Sequence, residues 1–186
     1  MSDTHPVMLR YGNTEDFSFP LILIVGREPN RKTGESTDQL GGLPFNEKSK
    51  SNDAEQFNNN RCAFWNISFA TLATKNDSTT KEIKEDFTCR NACPIIITDA
   101  SPIAIPNKNS KKQMERNGIG ETKFKEQLEK IFKHKELLSR VKLVIFSGLD
   151  HGVYKFFKDE FVNFRDKNGF DFVINDKVPF FYPTNF

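Results

Sequence analysis

The chain has 186 residues, 28% of them charged, and a formal net charge of +2. That length supports one domain with a substantial core. The composition excludes a disordered chain and a uniformly basic nucleic-acid coat, although a local basic groove survives the averaging. No apolar run approaches a membrane span, and residues 1–10 lack the apolar centre of a signal peptide. A cytoplasmic protein that makes no use of a membrane is expected.

The first predicted element is a strand over residues 21–25 (LILIV), an unbroken apolar run of the kind that helices cover on both faces. GREPN follows it at residues 26–30. Residues 30–60 are polar, broken by Gly34, Gly41 and Gly42, and read as a long loop with one ordered island, GGLPF at 41–45. Residues 62–72 (CAFWNISFATL) carry apolar side chains at helical spacing, and a second helix is predicted around 79–88. The next strand is 94–99 (PIIITD), and residues 107–120 form another polar loop. An amphipathic helix is predicted over 121–139, with Phe124, Leu128, Ile131, Phe132 and Leu138 on one stripe. A third strand spans 141–147 (VKLVIFS), Gly148 closes it, and a helix follows from 151 to 164. Residues 172–174 and 178–181 share the last strand region.

Strands alternating with helices imply a parallel sheet covered on both faces. The predicted fold is α/β, a three-layer α/β/α sandwich around a mainly parallel four-stranded sheet. It forms a single domain over residues 1–186, with residues 1–18 expected to be flexible. Most of the nineteen phenylalanines, including Phe156, Phe157, Phe161 and Phe164, are assigned to packing. Cys62, Cys89 and Cys93 supply neither a disulfide framework nor a complete zinc or iron–sulfur ligand set, so they read as buried or half-buried thiols. His151 reads as a surface or capping residue, and Lys155 and Lys158 as a solvated helix face.

Ligands of open α/β sheets bind outside the carboxyl ends of the strands. Parallel strands would bring four segments to that edge: Arg27–Asn30, Asp99–Pro102, Ser147–Leu149 and Tyr182–Asn185. Glu28 and Asp99 are its carboxylates. Either is a candidate general base for water, because an apolar wall raises a carboxylate's proton affinity. The plainer alternative for Glu28 is a turn cap or a partner for Arg31 or Lys32. Phe45 is equally open to a core role. Lys108, Lys111, Lys112 and Arg116 follow the second strand and are the best cluster for phosphate contacts, against the alternative of a solvated loop.

Taken in order, GREPN, GLPF, NRCAFW, IIITDASP, LVIFSGLDHGVYKFF and YPTN resemble the ordered motifs of the uracil-DNA glycosylase superfamily. The layout is closest to its mismatch-specific and single-strand-selective branches, and the resemblance covers nearly the whole chain from Leu21 on. It implies a monomeric DNA glycosylase without metal or organic cofactor. That enzyme would hydrolyse the N-glycosidic bond of uracil, or of another deaminated or damaged base flipped out of DNA. In catalysis Glu28 would position or activate water, with Asp99 beside the base or the water. Phe45 would stack on the base, with Gly26, Tyr182 and Asn185 also in the base site. Arg27, Arg31, Lys111, Lys112 and Thr184 would face DNA. Tyr182 stands where the family carries His or Asn, and Glu28 is one methylene longer than the usual Asp. The alternative expectation is a diverged or non-catalytic member that binds nucleic acid or a nucleotide-like ligand.

Overall fold

The structure, a computed structural model, describes residues 9–10, 20–26, 70–73, 77–83, 94–100, 121–149 and 151–175. Its strands are β1 (Leu9–Arg10), β2 (Leu21–Gly26), β3 (Ile95–Asp99), β4 (Val141–Phe146) and β5 (Val173–Ile174). Its helices are α1 (Thr80–Ile83), α2 (Glu121–Phe132), α3 (Lys135–Leu138) and α4 (His151–Asn168), and residues 70–72 are also helical.

The five strands form one sheet in the order β1-β3-β2-β4-β5. β3, β2, β4 and β5 run parallel, and β1 pairs with β3 antiparallel at the edge. The expected α/β class with a parallel four-stranded sheet is therefore present. Residues 9–10 fall within the stretch expected to be flexible, yet here they are the fifth strand. Their two residues offer no periodicity to read. The segment 178–181 lies outside the described residues, so the last strand is represented by β5 alone.

Alternation divides the buried residues of the central strands between two faces, since successive strand side chains point opposite ways. Leu21, Leu23, Val25, Ile96, Val144 and Phe146 belong to one cluster, with Phe124, Leu128 and Ile131 of α2 and Phe157 and Phe161 of α4. Ile24, Ile95, Ile97 and Ile145 belong to another, with Leu72 and Ile83. Helical segments thus meet both faces, which explains why LILIV carries no polar alternation.

The first cluster is aromatic. Phe161 meets Phe132 at 5.1 Å, Phe146 at 5.6 Å and Phe172 at 6.2 Å between ring centroids, all edge-on. Phe132 stacks flat on Phe164 at 4.1 Å. The edge-on contacts suit the ring quadrupole better than face-to-face sandwiches.

Local chemistry sets the helix ends. Thr79 and Glu82 form a capping box at the start of α1. The Glu82 amide donates to Thr79 Oγ1 at 3.2 Å, and the Thr79 amide donates to Glu82 Oε2 at 2.8 Å. α4 ends in a Schellman motif. Gly169 takes φ +68°, the Phe170 amide donates to the Arg165 carbonyl at 3.0 Å, and Phe164 packs on Phe170 at 5.6 Å. The single helix expected over 121–139 is interrupted at Lys133–His134, so α2 and α3 are separate. The His134 amide donates to the Ile131 carbonyl, a tighter last turn.

Outside the sheet centre, Lys142 Nζ donates to both carboxylate oxygens of Asp171 at 2.6 Å. That hydrogen bond, more than the charge itself, holds the Asp171 carboxyl below its usual value. A depressed carboxylate contributes stability above its unfolded pKa and loses it as pH falls through the folded pKa. Lys142→Met should therefore raise the Asp171 titration midpoint, followed by carboxyl carbon NMR, while barely changing the melting temperature at neutral pH, because the pair is exposed. An unchanged midpoint would remove Lys142 as the cause.

Candidate functional site

The strand order has a topological switch point at its centre. From β2 the chain proceeds to β3 on one side, and from β4 it proceeds to β5 on the other. β2 and β4 are adjacent, so their carboxyl ends flank the point where the connections diverge. Open α/β sheets bind ligands at such switch points.

Three strands end there in register. Gly26 pairs with Asp99, and Val25 pairs with Thr98 on one side and Phe146 on the other. The ladder continues one step further on both sides: the Ala100 amide donates to the Gly26 carbonyl and the Ser147 amide to the Val25 carbonyl, each at 2.8 Å. The backbone of the edge is fixed.

The Asp99 carboxylate leans across Gly26. A Cβ placed on Gly26 would lie 2.5 Å from Asp99 Oδ1, whereas its nearest backbone neighbour, the Thr98 carbonyl oxygen, would be 3.6 Å away. Glycine is needed here for close approach by a side chain, and no positive φ is involved. Asp99 itself is half-buried. Gln127 of α2, only 3% exposed, donates from Nε2 to the Asp99 carbonyl at 2.9 Å. It ties the end of β3 to the helix beneath. On the β4 side, Gly148 takes φ +72°, a conformation that turns the chain from the strand towards α4 and strains any residue with a Cβ.

Of the residues anticipated for this site, Gly26 and Asp99 are brought together on adjacent strands. Arg27, Glu28, Arg31, Phe45, Lys111, Lys112, Tyr182, Thr184 and Asn185 lie outside the described residues. Gln127 was not anticipated. The sequence does carry a trace of it, because it interrupts the apolar stripe of Phe124, Leu128 and Ile131 at a position that faces the core. A buried amide needs a partner, and the Asp99 carbonyl is that partner.

Gly26→Ala should leave the unfolding midpoint close to wild type, because the atom in the way is the far end of a side chain. The displaced Asp99 carboxylate should then show a shifted carboxyl carbon resonance. A large fall in melting temperature with that resonance unmoved would mean that the backbone takes the clash instead.

No protein-family model, curated protein or solved structure matches the chain. Among the described residues, no helix is long and apolar enough to cross a membrane.

Proposed function

We propose that the chain is a DNA N-glycosylase of the uracil-DNA glycosylase type, acting on uracil or another deaminated or damaged base flipped out of DNA. In this reading the sheet is the centre of that family's three-layer sandwich, the partner is DNA, and the chain acts as a monomer. The observation that carries it is the Asp99 carboxylate held across Gly26, beside the switch point of a parallel sheet. A base extruded from a duplex needs a tight pocket with hydrogen-bonding groups along its edge. A strand-end acid leaning over a bare glycine provides one such group.

The bond to be broken joins the sugar C1′ to the base nitrogen. Positive charge develops on the sugar as the bond lengthens, and a nearby carboxylate stabilises it. Water then adds to C1′, its proton passes to a carboxylate, and the bonding electrons leave with the base. Glu28 is assigned to the water and Asp99 to the base or the water, with Phe45 stacking on the extruded ring. A second reading, a diverged member that binds nucleic acid or a nucleotide-like ligand without cleavage, is favoured by Tyr182 at the place where the family carries His or Asn.

The test uses labelled oligonucleotides containing uracil, hypoxanthine or xanthine, incubated with the protein and then treated with alkali to cut abasic sites. Cleavage by the wild type, lost in Glu28→Gln, supports the glycosylase. Binding of the same oligonucleotides without cleavage supports the second reading.

A further inference from the structure

The same strand end carries a feature that the glycosylase reading does not use. Residues 22, 24 and 26 of β2 share one face of the sheet, as do 95, 97 and 99 of β3 and 143, 145 and 147 at β4. The packing agrees: Ile22, Ile24, Ile95, Ile97, Leu143 and Ile145 form one cluster on the face opposite α2 and α4. The Asp99 carboxylate lies on that face too, because it occupies the side where a Gly26 Cβ would stand. The ladder bond from the Ser147 amide to the Val25 carbonyl extends the β4 register to Ser147. Asp99, Gly26 and Ser147 therefore form a row across three adjacent strands.

Ser147 is only 8% exposed. Among the described residues its hydroxyl has no hydrogen-bond partner, although its backbone amide does. A buried hydroxyl without a partner is costly to keep. With strands about 4.8 Å apart, the backbones of Asp99 and Ser147 are separated by roughly two strand spacings. The lean of the carboxylate over Gly26 shortens that span. The Asp99 carboxylate and the Ser147 hydroxyl thus flank Gly26 on one face of the sheet, one from each neighbouring strand.

We propose that Ser147 is a ligand-binding residue and that the Asp99–Gly26–Ser147 row reads the edge of a planar nitrogen heterocycle. The ligand class is a ring, lying over Gly26, that presents an N–H to the Asp99 carboxylate and a carbonyl or ring nitrogen to the Ser147 hydroxyl. An ionised carboxylate only accepts hydrogen bonds, whereas a hydroxyl also donates. The pair therefore selects rings carrying a donor and an acceptor together and rejects a ring whose N–H groups are all methylated. This inference rests on the base-binding reading of the site and adds to it the second contact and the pattern it selects.

The experiment follows backbone amide resonances of the full chain during titration with free uracil, 1,3-dimethyluracil and hypoxanthine, for wild type and Ser147→Ala. Expected are shifts at Gly26, Asp99, Ala100 and Gly148 with uracil or hypoxanthine, and none with 1,3-dimethyluracil. Ser147→Ala should weaken binding about tenfold, the scale of one lost hydrogen bond. The same variant should melt no lower than wild type, because it removes a buried hydroxyl that bonds to no described protein group. Equal affinity in Ser147→Ala overturns the role of Ser147 and leaves the glycosylase proposal standing. A lower melting temperature with unchanged affinity assigns Ser147 to the fold and also overturns it. Absence of shifts at these amides with either unmethylated ring overturns the edge-reading row, while the oligonucleotide cleavage assay decides the glycosylase reading separately.

Discussion

Asp99→Asn is expected to slow base release from oligonucleotides by on the order of a hundredfold, the scale of a positioned acid–base or electrostatic group, with little change in folding stability. Asparagine has nearly the shape of aspartate, so the approach over Gly26 is preserved. The Gln127 amide bonds the Asp99 backbone carbonyl and does not depend on the side-chain charge. What disappears is the negative charge at the end of β3, and with it the stabilisation of positive charge on the sugar. Single-turnover cleavage with enzyme in excess, paired with a thermal melt, reads both effects. A rate equal to wild type on every base cleaved would take Asp99 out of the chemistry and leave Glu28 as the sole acid assigned to it.

Phe161→Ala should be the most damaging of the core truncations. Its side chain is fully buried and touches three rings drawn from α2, β4 and the segment before β5. Truncating a buried phenylalanine costs about 3–5 kcal/mol. A domain of this kind has roughly 5–15 kcal/mol of stability in all. The variant should therefore unfold at a much lower urea concentration, with an unchanged slope of free energy against denaturant. A loss below about 1 kcal/mol would contradict the packing of α4 on the sheet, since even a well-relaxed cavity costs more than that.

The strands that build the sheet are written plainly in the chain. LILIV, IIIT and VKLVIF are apolar runs of strand length, and the structure places a strand in each. Their uniformity also limits what they tell. A strand buried on both faces has no polar alternation, so the run does not say which residue faces which layer or which strand lies beside it. The row of Asp99, Gly26 and Ser147 depends on exactly that register and on the order β3-β2-β4, and neither is visible residue by residue. Gln127 was hidden differently. Its place in the apolar stripe is readable, but the carbonyl it serves is 28 positions away in the chain. β1 was hidden because two residues pairing through backbone atoms leave no pattern in side-chain type.

The pairing of β2 bears on how the chain reaches this state. Its partners are not its sequence neighbours: Ile22 lies opposite Ile95, and Leu21 lies opposite Val141. Closing loops of that size costs chain entropy before any contact repays it, and sheets built from distant segments fold slowly for this reason. During synthesis LILIV emerges long before VKLVIF, and until then it is an apolar strand with an unfilled edge, the sort of segment that seeks pairing with other chains. The turn elements with purely local chemistry, the capping box of α1 and the Schellman end of α4, can form early but bring no distant segments together. The row of Asp99, Gly26 and Ser147 consequently has no precursor in any fragment of the chain: its three residues become neighbours only when the central strand acquires both flanks.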